Sequence, residues 1–196
     1  PLAVAKELRG YPFCGVVEAC AQVEQMEVGE GGTVAWIDSS CLVIQPPKLL
    51  RLGEDADAAV RPVHLRNVGL RVGDDPDGYW RGIYRAVGVG EIDGCVESFV
   101  DGEVLKPYFN SHCLSFNPRM GLMRQWRERY EALVGDEKFQ KETCQDGLHQ
   151  TFLFQAVLSA LLANRILRNR LRLLPLSAKP FKTALAVVRE LTLMAG

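Results

Sequence analysis

The run Thr33-Val-Ala-Trp-Ile37, closed by Asp38, decides how the fold is read. It is short, continuously apolar and follows Gly29, Gly31 and Gly32, the pattern of a strand buried on both faces of an α/β sheet. Asp38 then stands at the strand's carboxyl end, the edge of an open α/β sheet where loops converge on ligands. Upstream, Val4, Leu8, Val16, Val17, Cys20 and Val23 fall at helical spacing, broken by Gly10, Pro12 and Gly15, and predict two helical pieces within residues 3–28. Downstream, Leu42 to Ile44 is a second strand-like run that Pro46-Pro47 must stop, because neither proline can donate to a ladder.

Residues 51–58 predict a loop, 59–63 a strand, 69–78 an exposed turn-rich loop and 79–87 a short helix. Extended stretches follow at 95–100, 104–109 and 113–116. Asn117-Pro118 supplies an N-cap with proline at the first helical position, and Leu122, Trp126, Tyr130 and Leu133 lie on one face of the helix behind it. Residues 148–167 predict a buried helix and 184–193 an amphipathic one. The expected architecture is an α/β fold with a mixed, mostly parallel sheet of about five or six strands and helices on both faces. One domain spans residues 1–196.

Lys plus Arg number 23 and Asp plus Glu 24, a formal charge of −1, so nothing global draws the chain to nucleic acid or anionic lipid. The longest strongly apolar run, Phe152 to Ala163, is interrupted by Gln155 and falls short of the ~20 residues of a membrane span. Six irregularly spaced cysteines without a C-x-x-C pair predict thiols kept reduced in the cytoplasm. No acid occurs between Asp146 and Glu190, a window holding Arg165, Arg168, Arg170, Arg172, Lys179, Lys182 and Arg189. Its cations suit either a solvated helix end or a diphosphate clamp. With no aromatics interleaved among the arginines, nucleic acid is not the expected partner.

Four stretches share one resemblance. Trp36-Ile-Asp-Ser-Ser-Cys-Leu-Val-Ile-Gln-Pro-Pro47 resembles the D-x-D region of GT-A-type nucleotide-diphospho-sugar transferases, with Asp38 at the first acidic position and Ser40 at the second. Pro107-Tyr-Phe-Asn-Ser-His-Cys-Leu-Ser-Phe-Asn-Pro118 looks like the family's aromatic-Phe-Asn-Ser-Gly segment, with His112 in the glycine's place. Cys144-Gln-Asp-Gly-Leu-His-Gln150 looks like its late acidic stretch before a buried helix. Arg61-Pro-Val-His-Leu-Arg-Asn-Val-Gly69 is similar to a connecting segment of the family and holds the polar cluster His64, Arg66 and Asn67.

The resemblance, spread over about residues 30–165, implies transfer of a sugar from a nucleotide-sugar donor to an acceptor it does not identify. It implies Asp146 as the catalytic carboxylate and Asn110, Ser111, His112 and Gln150 as substrate contacts. Asp38, Ser40 and His149 would hold Mn2+ or Mg2+, because carboxylates and a hard divalent cation neutralise a diphosphate leaving group. Only 37 residues precede Asp38, where the family places a nucleotide-binding βαβ region. The chain is therefore expected to be a piece of a larger transferase or a form that lacks the half reading the base. A non-catalytic binding or scaffold domain on the same fold is the alternative, favoured by Ser40 and His112. A metal hydrolase built on Asp38, His112 and His149 finds no ligand spacing to support it.

Overall fold

The computed structural model describes residues 8–26, 32–41, 43, 46–166 and 168–175. The helix predicted at 184–193, the first helical piece before residue 8 and most of the run at 42–44 lie outside them. The elements are helix α1 (Cys14–Val23), strand β1 (Val34–Ile37), a 3-10 turn (Lys48–Leu50), β2 (Ala58–Pro62), α2 (Gly78–Val87), β3 (Val96–Glu97), β4 (Val104–Leu105), β5 (Phe109–Phe116), a second 3-10 turn (Pro118–Met120), α3 (Leu122–Gly135), α4 (Glu137–Thr143), α5 (Gly147–Arg165) and β6 (Leu171–Leu173).

The protein is α/β with a mixed sheet. Four strands run in the order β1-β5-β2-β6, and β3 with β4 forms a separate hairpin. Strand β5 is antiparallel to both β1 and β2, and only β2 with β6 is parallel. Among the described residues the sheet is therefore mostly antiparallel, not mostly parallel, and has four strands. The misreading starts at β1. Its apolar run suggested a central parallel strand, but β1 is a sheet edge paired only with β5, and Ala35 is exposed.

Side-chain alternation divides the sheet between two cores. Ala58, Val60, Leu114 and Phe116 point into the large cluster that packs against the helices, whereas Ala59 and Cys113 join a small one with Leu50, Leu52, Ala56 and Leu174. No α-helical residue contributes to the small cluster, so among the described residues the α-helices pack on one face. The other is covered by the 46–57 segment and its 3-10 turn. This departs from the expectation of helices on both faces.

Two arginines fasten that covering segment. Arg172 donates to the carbonyl oxygens of Leu49, Arg51 and Leu52, at 3.1, 2.7 and 3.0 Å. Arg170 grips the Asp57 carboxylate with Nε and Nη2, at 2.5 and 2.8 Å. These two cations of the acid-free window serve as staples on internal acceptors, which is neither use proposed from the sequence.

The helix-side core sets α5 against the sheet. Its whole middle, Leu153 to Leu162, is buried, which is why its sequence shows no polar stripe. Asn117 and Pro118, expected to cap the helix that carries Trp126, instead start the second 3-10 turn, and Gly121, at φ 64°, redirects the chain and takes the N-cap position of α3. The carboxylate of Glu24 then accepts the N–H groups of Met123 and Arg124 at 2.9 Å each, capping α3 from a distant segment.

Candidate functional site

A break in the β2–β5 ladder builds the site. Ala59 pairs with Ser115, but Arg61, two residues on, pairs with Asn110, so β5 carries extra residues between them. The N–H groups released by this bulge are taken up by side chains. Asn110 Oδ1 accepts from His112 N at 2.8 Å, and Gln155 Oε1 accepts from Ser111 N at 3.3 Å and Ser111 Oγ at 3.2 Å. Gln155, the residue that interrupts the apolar run of α5, is buried to 2% exposure for this purpose. Ser111 is thereby turned into the core, at 1% exposure, while Asn110 and His112 line an open cleft.

The cleft, of about 310 Å³, lies between the bulge, the 63–67 segment and the first half of α5. Its polar lining includes His64, Asn67, Asn110 and His112, and its aromatic lining Phe13 and Phe152. Among the described residues two non-glycine residues have positive φ, Phe13 at 60° and Asn67 at 46°, and both line this cleft. Strain of this kind persists where surrounding structure holds it, and it concentrates at functional sites. Two larger hollows exist, of about 420 Å³ beside Cys95 and Arg168 and about 440 Å³ between α2 and α4. The first contains Arg168 of the acid-free window, but neither is lined by a non-glycine residue of positive φ or by any residue implied as a catalytic, substrate or metal contact, so size does not identify the site here.

Asp38 adjoins the cleft through β5. Its N–H donates to His112 O at 2.8 Å, and its Oδ1 accepts from Ser40 N at 2.9 Å and Ser40 Oγ at 2.6 Å. Partial burial pushes the Asp38 carboxyl up, but the two Ser40 hydrogen bonds and the charge of His112 together bring it below the usual range. Cys41 folds back over the same turn, its Sγ 3.8 Å from His112 O.

Asp146, His149 and Gln150 form a second group, at the start of α5. Asp146 is the N-cap, its Oδ1 accepting from His149 N at 2.9 Å and its Oδ2 lying 2.5 Å from His149 Nδ1. The His149 backbone and then its ring hold the Asp146 carboxyl low. The ring stands edge-on to Tyr79 at 4.6 Å, and Gln150 Nε2 donates to Cys144 O at 3.1 Å. The cleft takes Thr151, Phe152, Phe154 and Gln155 from α5 and none of these three. Asn110 and His112 thus line the cleft, Asp38 and Ser40 adjoin it through the Asp38–His112 backbone bond without lining it, and Asp146, His149 and Gln150 stand at the start of α5 just ahead of its lining residues.

The three ligands expected for a metal do not form one donor set, since His149 sits with Asp146 and not with Asp38 and Ser40. Among the described residues no group of three or more His, Cys, Asp and Glu converges on a cation position. With Oδ1 engaged by Ser40, Asp38 offers one carboxylate oxygen, too few for a resident divalent ion by itself. Phe13 was missed by reading the sequence, where its only signal is its position between Pro12 and the apolar positions of α1. No family model, curated protein or solved structure matches the chain.

Proposed function

We propose that the chain acts in glycosyl transfer and that the cleft between β5 and α5 holds the sugar of a nucleotide-sugar donor, in a GT-A-like arrangement. The observation that carries this reading is the cleft itself, in which amide and imidazole groups converge opposite aromatic rings around two strained residues. A sugar needs that combination, with hydroxyls met by polar groups and the C–H faces of the ring met by aromatics. Asn110 Nδ2 donates to a sugar hydroxyl while its Oδ1 holds His112 N, and Asp38 Oδ2 accepts another. Asp146 serves the acceptor side, with its carboxylate kept ionised and paired to His149, the arrangement of an oriented base. What supports that role is this pairing at an exposed helix start, not a contact with the cleft.

No step is assigned to a metal. A donor diphosphate would have to complete any cation site at Asp38. No helix among the described residues is long and apolar enough to cross a membrane. A reducing, cytoplasmic setting is part of the same reading, resting on six irregularly spaced cysteines without a C-x-x-C pair. The two hydrogen bonds that Ser40 makes to Asp38 favour a second reading, a binding domain that keeps the cleft without turnover.

The test is calorimetric titration with UDP, GDP and their sugars, each with and without manganese, together with a nucleotide-release assay. The expected result is binding of a nucleotide-sugar at least ten-fold tighter than its nucleotide, reduced ten-fold or more by Asn110→Ala and by Asp38→Ala. Binding without release selects the second reading, and no binding of any sugar nucleotide overturns the proposal.

A further inference from the structure

We infer that the hydroxyl acceptor at this cleft is carried on an apolar alkyl or aryl group, an inference resting on the assignment of the cleft to sugar binding. Its mouth is built from apolar side chains that the protein leaves in water. Phe13 is 41% exposed and Leu65 45%, and both line the cleft. Beside them Phe99, 37% exposed, stands 5.9 Å from the His64 ring, and Val100, 67% exposed, donates its N–H to His64 O at 2.8 Å. A single exposed apolar residue is ordinary, whereas two lining one concave site, with two more on the neighbouring segment that bonds His64, mark a surface kept for an apolar ligand.

Phe13 carries the argument beyond exposure. A bulky side chain disfavours the left-handed region, yet Phe13 sits there at φ 60° at the entrance to α1. That backbone conformation lays its ring on Phe154, centroids 4.5 Å apart and planes within 17°, with the outer ring face left open. An asparagine or glycine would take the same backbone with less strain. The stack on Phe154 gives the phenylalanine a packing use, and its 41% exposure at the cleft leaves the same ring as an aromatic platform beside the polar pocket. The polar groups of the cleft would hold the sugar ring and Phe13 and Leu65 the hydrocarbon of the acceptor. Once the bond to diphosphate is broken and the bond to the acceptor oxygen formed, the product is a sugar joined to that hydrocarbon, which alkyl and aryl glucosides mimic.

The probes are methyl, phenyl and octyl β-glucosides, the last kept below its micellar concentration. Each is titrated into the full chain and into Leu65→Ser and Phe13→Asn. Wild type should bind the phenyl and octyl glucosides at least ten-fold tighter than the methyl one, and each variant should reduce that ratio toward one. Phe13→Asn should melt within a few degrees of wild type, because relief of strain offsets the lost stacking. Equal affinity for the three glucosides, or a preference that survives in both variants, overturns the inference. A wild type that prefers the octyl glucoside but binds no nucleotide-sugar removes the transferase reading and leaves the apolar subsite standing. Nucleotide-sugar binding without the preference removes the subsite alone.

Discussion

At Asp57 three chain segments meet. Its carboxylate takes Arg170 and, at 3.3 Å, Asn117 Nδ2, while its backbone bonds Arg170 O and Asn117 N at 2.8 Å each, tying the start of β2 to β6 and to the end of β5. The Arg170 side chain, outweighing the opposing effect of burial, holds the Asp57 carboxyl below its usual range. A depressed carboxyl contributes stability that is complete above the unfolded aspartate pKa, about 3.9, and is lost as pH falls through the lower folded value. Asp57→Asn should therefore lower the melting temperature at pH 7, and the gap to wild type should narrow steadily below about pH 4. A gap independent of pH in thermal melts would show that Asp57 acts through shape and not charge. The end of the apolar run at Ile37 made Asp38 stand out, whereas Asn110 and His112 were marked by the resemblance of their segment to the transferase family. The sequence hid Phe13 and Asp57, since a positive φ and a partner 113 residues away leave no local trace.

Elements were legible where periodicity is long and hidden where tertiary contacts decide. Helix α3 could be read from its stripe, and Leu122, Trp126 and Tyr130 are all fully buried. Trp126 also donates Nε1–H to Phe154 O at 2.8 Å. Trp126→Ala should cost about 3 kcal/mol or more in urea unfolding, combining a large cavity with an orphaned carbonyl, whereas an unchanged midpoint would mean the face is not packed. Helix α4, Glu-Lys-Phe-Gln-Lys-Glu-Thr, was not foreseen because Phe139 is its one large apolar residue. That ring lies against Gly82 of α2, so closely that an added Cβ would come within 2.5 Å of it. Gly82→Ala should then lower the melting temperature despite a gain in helix propensity of about 1 kcal/mol. A higher melting temperature would show that Phe139 moves aside freely. The β5 bulge was equally hidden. The sequence reading left 110–112 as a gap between two extended stretches, and what fills it is tertiary: Gln155, 44 residues away, takes one N–H group that leaves the ladder and Asn110 takes another.

At the scale of the whole molecule the sheet separates a thick helical core from a thin one roofed by the 46–57 segment, and the cysteines report on the two independently. Cys20 lies in the large cluster and Cys113 in the small one, while Cys95 is exposed. Sequence reading expected reduced thiols and helices on both faces, and so did not anticipate this division. Burial raises the Cys20 thiol to about 12 and the Cys113 thiol to about 11, so little reactive thiolate forms at pH 8 on either even before access is considered. In native protein a thiol reagent should modify Cys95 promptly and leave Cys20 and Cys113 protected. Protection at Cys113 depends on a cluster with no helix in it, held to the sheet by the hydrogen bonds of Arg170 and Arg172. Segments with few apolar contacts open at lower free energy than the global transition. In rising urea, mass spectrometry of labelled peptides should therefore find Cys113 modified before Cys20, and Arg172→Ala should widen that interval. Coincident exposure of the two thiols would mean that the covering segment and the helical core unfold as one unit, and the thin face would then belong to the same cooperative structure as the thick one.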